Sequence, residues 1–82
     1  MTNTKAITVR FLSTCAFYVD RKKKRAKMFA FEKDQQLAGV PEAYHCLMEV
    51  RGKKRACEVF DFFLSNGDTV LCVPYGCVRI SD

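Results

Sequence analysis

The chain has no tryptophan, one histidine (His45), two prolines and four glycines among its 82 residues. Side-chain catalysis draws on a set of nucleophile, base and acid, or on a glycine-rich loop that cradles phosphate, and neither can be assembled from these residues. Cys46 and His45, a nucleophile and a base adjacent in sequence, point to opposite faces if their segment is a strand. A non-enzymatic protein without a cofactor is therefore expected. Long apolar runs are missing too, since the uncharged stretch Phe11–Val19 falls well short of the about 20 residues a membrane-spanning helix needs. Lys5, Arg10 and Leu12–Cys15 imitate a lipoprotein signal, but Arg10 interrupts the apolar stretch and Thr14 stands where a very small residue is wanted. No membrane association and a cytoplasmic location are the expectations.

Acidic residues are in deficit: nine Asp and Glu against fourteen Lys and Arg leave a net charge of +5, which favours an acidic partner such as nucleic acid or an anionic protein surface. Apolar residues at 49% and charged residues at 28% describe a globular chain rather than a disordered or fibrous one. A chain of this length supports one core, so residues 1–82 are read as a single domain.

Five cysteines (Cys15, Cys46, Cys57, Cys72, Cys77) are an odd count, and the apolar inventory makes a disulfide framework unnecessary, so the thiols are read as reduced and intracellular. His45-Cys46 and Cys57 approach each other if residues 42–64 form a hairpin, and Cys72 and Cys77 bound a turn. Structural zinc takes about four ligands from tightly spaced pairs. A second tight pair is missing, so no metal is expected and the thiols are read as small hydrophobes.

What is present is strand patterning. Ile7, Val9, Phe11, Cys15, Phe17 and Val19 share one parity and Thr8, Arg10 and Thr14 the other, which predicts one long strand over 6–19 with one buried face. Asp20–Arg25 stops it, and 26–31 resumes as the return strand of a basic-tipped hairpin. Residues 32–39 are polar, end in Gly39 before Pro41, and read as a connection with at most a helical turn. Residues 42–50 fit either a short helix begun by Pro41 or the outgoing strand of a second hairpin. Gly52 in the run Arg51-Gly52-Lys53-Lys54 favours the strand, with Gly52 expected at the first central position of a two-residue turn. Asn66-Gly67-Asp68 is the strongest turn signal; it feeds a strand over 69–73, and 77–80 closes the chain, the two together forming a closing hairpin.

Residues 15–31 and 46–62 share a pattern: Cys, three residues, Val, Arg-x-Lys-Lys-Arg-Ala, then Phe-x-Phe. It suggests two similar hairpins. The fold expectation is thus mainly β, a small single-domain antiparallel sheet or barrel built from two basic-tipped hairpins plus the closing hairpin. The alternative is α+β with one short helix near 41–50. The rhythm from Met48 through the glycine turn, Phe60-Asp61, Asn66-Gly67 and a short closing strand resembles that of small SH3-like or Sm-like barrels. This resemblance implies a closed sheet of about five or six strands.

Basic side chains projecting from rigid turns neutralise phosphates together, so Arg21, Lys22, Lys23, Lys24, Arg25 and Lys27 at one tip, and Arg51, Lys53, Lys54 and Arg55 at the other, are the candidate nucleic-acid contacts. Tyr18, Phe29, Phe31, Tyr44, Phe60 and Phe62 interleave with them as candidate stacking platforms for bases, against the ordinary reading of Phe as core. The charged tips also fit a plainer role, protecting sheet margins from aggregation. A small basic accessory or regulatory protein that binds DNA or RNA is the first functional reading. The second is a protein-binding inhibitor or adaptor, of the kind phages and mobile elements encode, which docks on an acidic surface or an edge strand of a host protein. Self-association as a homo-oligomer is the third, suggested by apolar residues on both faces of 57–64.

Overall fold

The computed structural model describes residues 5–21 and 25–81. Seven strands form one antiparallel sheet: β1 (Ile7–Phe11), β2 (Cys15–Asp20), β3 (Lys27–Phe31), β4 (Gln36–Val50), β5 (Lys53–Leu64), β6 (Thr69–Pro74) and β7 (Val78–Ser81). Their order across the sheet is β3-β2-β6-β5-β4-β1-β7. The sheet curls into a half-barrel, with β3 and β7 as its margins rather than the closed ring that the barrel resemblance implies.

The alternation read from the sequence places the core. Val9 and Phe11 of β1, Val19 of β2, Phe31 of β3, Phe60 and Phe62 of β5, Val70 and Val73 of β6 and Val78 of β7 pack together on the concave side. Each buried Val or Phe contributes roughly 1.5 to 3 kcal/mol. The curl lays β3 across to β1, where the Phe11 and Phe31 rings stack with centroids 4.9 Å apart and Phe17 lies 5.9 Å from Phe11.

The expected long strand over 6–19 is two strands. Phe11 accepts from the Asp34 N–H (2.8 Å) and donates to Gln35 (3.0 Å), while the Leu12 N–H donates to Cys77 (3.0 Å). These bonds end β1 between β4 and β7, and the chain turns a corner at 12–14 to start β2 beside β3 and β6. Parity is kept through the corner, so period two alone does not reveal the break. Residues 36–39 are likewise strand and not connection, paired with β1 on one side, while Gly39 opposite Leu64 begins the pairing with β5 on the other.

Gly39 is where β4 is tightest. A Cβ built there meets the Phe63 carbonyl oxygen and carbon of the neighbouring strand and the Phe62 ring. Backbone cannot swing aside as a side chain does, so Gly39→Ala is expected to cost about 2 to 3 kcal/mol. Urea unfolding of the variant checks this, and an unchanged midpoint would show that β4 and β5 separate freely.

Residues 42–50 are strand, not helix, and run through Pro41, which pairs with Phe62 just past the last β1 contact at Gly39. The turn after them is displaced by one from expectation: Val50 pairs with Lys53, and Arg51 (φ 53°) and Gly52 (φ 77°) are its central residues. Positive φ at both positions is the type I′ geometry that matches strand twist.

The closing hairpin does not form. β6 lies between β2 and β5, whereas β7 joins β1 at the far margin, because a 3-10 turn over Tyr75–Cys77 redirects the chain after Pro74. The repeat is also not carried into register. Cys15 pairs with Phe31, but the aligned Cys46 pairs with Cys57 and the aligned Phe62 with Pro41. Seven residues (20–26) separate the Val19 and Lys27 partners; two separate Val50 and Lys53. That difference of five residues is the register shift.

Candidate nucleic-acid interface

β5 gains β6 as a neighbour only from Val59 onward, and β4 has β1 beside it only up to Gly39. Residues 45–50 and 53–58 therefore form a two-stranded ribbon that extends beyond the half-barrel, about 20 Å long at roughly 3.3 Å per residue. Opposed residues of an antiparallel pair share a face. By the register, Tyr44, Cys46, Met48 and Val50 stand with Val59, Cys57, Arg55 and Lys53 on the convex face. Ala43, His45, Leu47 and Glu49 stand with Phe60, Glu58, Ala56 and Lys54 on the concave one.

This sorting separates charge. Both acids of the ribbon, Glu49 and Glu58, fall on the concave side, where Glu49 is opposite Lys54 and Glu58 opposite His45. On the convex side Arg51, Lys53 and Arg55, all exposed, surround one open hollow floored by Val50. Three cations around one hollow form a cradle for phosphate.

The ribbon is anchored at its root by Asp61. A bulge in β6 sets two residues of β6 (71 and 72) against one of β5 (61), with Cys72 at φ 57°. Turned outward, the Cys72 N–H donates to Asp61 Oδ1 (3.0 Å), and the Tyr44 hydroxyl donates to the same oxygen (2.9 Å). Burial first, and then the hydrogen bonds to Asp61 and Cys72, hold the Tyr44 hydroxyl well above the usual phenol range. Three strands thus meet on one carboxylate, and this anchor was legible in the sequence only as an acid in the midst of an apolar strand.

The two basic tips lie at opposite ends of the sheet. Asp20 and Phe63 both pair with Thr69, which sets the end of β2 level with Phe63. Lys53 is ten residues back along the same β5, about 33 Å for an extended strand. At the first tip Arg21 reaches Asp68 (Nε to Oδ2 3.6 Å) and covers the Phe29 ring at 5.6 Å, and Arg25 and Lys27 are exposed. Lys22, Lys23 and Lys24 lie outside the described residues. The described basic candidates therefore do not make one surface.

Of the six stacking candidates, Phe31, Phe60 and Phe62 are core, 8%, 0% and 1% exposed. Their parity turns them inward, and none offers an exposed ring face on the outside of the sheet. Phe29 is half-buried beneath Arg21, and Tyr44 is held by Asp61. Tyr18 is exposed on the convex side opposite the exposed Met28. The composition of 57–64 is resolved in the same way: Phe60 and Phe62 are inward, Val59 is buried on the convex side, and Phe63 is exposed there. Sequence reasoning passed over Leu47, 72% exposed; the signal was hairpin length, since apolar residues near the tip of a long ribbon have no layer to cover them.

The cysteines fall into two groups. Cys46 faces Cys57 across the ribbon and its Sγ lies 3.9 Å from that of Cys72; Cys15 is close enough to Cys77 to feel it electrostatically. Burial, then the neighbouring thiols, push the Cys46 and Cys15 thiols up, so both stay protonated and weakly nucleophilic at neutral pH. His45, on the opposite face from Cys46, joins neither group. Among the described residues no cluster of three or more His, Cys, Asp or Glu is arranged to hold a metal.

The Arg51-Gly52 turn separates stability from binding. Asparagine adopts positive φ more readily than arginine, so Arg51→Asn is expected to raise stability by about 0.5 kcal/mol. If the cradle takes phosphate, the lost cation should also weaken binding of a nucleic acid there by about tenfold at low salt. Thermal melts and a binding titration on the one variant read both, and a variant that loses stability would contradict the turn geometry. Comparison of this chain with protein-family models, with curated proteins and with solved structures finds no match.

Proposed function

We propose that the protein is a non-enzymatic nucleic-acid-binding protein that engages duplex DNA with the convex face of the β4–β5 ribbon. The observation that carries this reading is the segregation of charge on the ribbon: Arg51, Lys53 and Arg55 around one hollow, with Glu49 and Glu58 on the other side. The major groove of B-form DNA, about 12 Å wide, admits a two-stranded ribbon, while the deep, narrow groove of A-form RNA does not. Phosphate contacts set position and supply affinity; Met48 and Val50, on the same face, offer apolar contact to base edges.

Titration of fluorescent duplexes of one sequence, as DNA and as RNA, across a salt series tests the reading. About three phosphate contacts give a slope of log affinity on log salt near −3. DNA should bind more tightly than RNA. Absence of binding at low salt would sink the reading.

A protein partner is the second reading, favoured by one observation: Leu47 stands exposed on the concave side of a ribbon whose two long edges extend past β1 and β6. Strand addition to such an edge tolerates loss of the convex cations. Leu47→Glu would abolish that interaction and leave DNA binding largely intact.

A further inference from the structure

At the end of the sheet opposite the ribbon tip, the concave side opens into a cleft of about 270 Å³. Its floor is apolar, with Val19, Phe29, Phe31, Leu64 and Val70; Arg21, Asp68 and Gln35 stand in its wall. The volume lies just below the range of pockets that hold drug-sized ligands, about 300 to 1,000 Å³, so the cleft suits one planar ring system. Three features describe the ring. The Phe29 face, which Arg21 now covers from 5.6 Å, stacks on any flat heteroaromatic. Asp68 meets Arg21 and Asn66 through Oδ2, which leaves Oδ1 to accept an N–H from a ligand edge. Gln35 accepts the Glu32 N–H through Oε1 (3.0 Å) and keeps its amide nitrogen to donate. Beside the cleft, Lys27 shares the parity of Phe29 and pairs with Val19, and Arg25, two residues before it in the chain, is exposed, so a ring that enters carries its anionic substituent toward the basic end of β3.

We infer that this cleft is a second binding site, separate from the ribbon, for a single nucleotide: the base on Phe29 with its amino edge toward Asp68, and the phosphate toward Arg25 and Lys27. Arg21 is the movable cover. Its pairing with Asp68 is long (3.6 Å), and the Arg21 side chain is half-exposed (53%) although Asp68 is not (16%), so water competes for the guanidinium and the pair resists opening only modestly. The ribbon reading does not bear on this site, since the cleft lies about 33 Å from the tip along β5.

The test is a titration of the isotope-labelled full-length protein with adenosine, cytidine, guanosine and uridine monophosphates, followed by amide chemical shifts, with inorganic phosphate as a separate arm. The expected result is saturable shifts at Val19, Phe29, Val70 and Asp68, strongest for the amino-bearing bases. Phe29→Leu should weaken binding by about tenfold through loss of stacking. Asp68→Asn keeps the side-chain volume, guards against a Phe29 variant that fails to fold, and should weaken the amino-bearing nucleotides several-fold while changing uridine monophosphate less. Arg79→Gln, an exposed cation on β7 at the other margin of the sheet, should leave the nucleotide shifts at the cleft unchanged. Identical shifts with inorganic phosphate and nucleotide would overturn the proposal, showing an anion on the basic segment and no base in the cleft. Absence of shifts at the cleft residues at millimolar nucleotide would also overturn it, whether or not duplex DNA binds the ribbon.

Discussion

The Lys53→Glu, Arg55→Glu double variant is expected to bind duplex DNA on the order of a hundredfold more weakly than the parent at about 50 mM salt. The estimate follows from counterion release: each phosphate contact contributes a slope of about −0.9, worth roughly tenfold between molar and 50 mM salt, and two contacts are lost. The salt slope should fall by about 2. Both side chains are exposed, so the fold should be indifferent to the change.

The informative control is Lys54→Glu. It alters net charge as much as Lys53→Glu does, but Lys54 stands on the concave face opposite Glu49. If the convex cradle binds phosphate, Lys53→Glu weakens binding more than Lys54→Glu does. Equal losses would show that net charge, and not one face of the ribbon, attracts the nucleic acid. The separation of the two tips adds a further expectation. Neutralising Arg25 and neutralising Lys53 should give additive effects, since sites this far apart do not couple directly.

Phe60→Ala carries the largest expected effect on stability, a loss of about 3 to 5 kcal/mol. Phe60 is fully buried, with the Phe62 ring edge-on at 5.7 Å and the Tyr75 ring at 4.7 Å. A chain of this size has roughly 4 to 12 kcal/mol of total stability, so the variant is expected to be close to its unfolding midpoint in mild denaturant. Tyr75 belongs to the turn that redirects the chain toward β7. Removing the ring beneath it should therefore loosen β7 first, as amide exchange at 78–81 faster than at 59–63. A loss below about 1 kcal/mol would mean that Phe60 does not hold the core.

The strands themselves were legible because period-two patterning is local. Ile7, Val9 and Phe11, then Cys15, Phe17 and Val19, alternate as a strand buried on one face must, and the glycine turns at Gly52 and Gly67 carry the positive φ (77° and 94°) that their residue types invite. The same locality explains the misreadings. A corner at 12–14 that preserves parity leaves no mark in the pattern. Register depends on how many residues span a turn, so two hairpins with matching motifs differ by five positions. Strand order is set by which strand covers which, and nothing between Pro74 and Val78 states that β7 will cross to β1 rather than pair with β6.

The basic candidates show the same division. Composition and clustering were enough to name Arg21–Arg25 and Arg51–Arg55 as charged tips, because charge is a property of the residue. That the tips lie at opposite ends of the sheet follows from the pairing of Asp20 and Phe63 with the one residue Thr69, a contact between segments more than forty positions apart in the chain. The choice of Lys53 and Arg55 over Lys54 comes from the ribbon's two faces, and the dismissal of Phe31, Phe60 and Phe62 as stacking platforms from the curl that folds them inward. Residue type and alternation are written along the chain; which surfaces meet is decided only when long-range pairing closes the core.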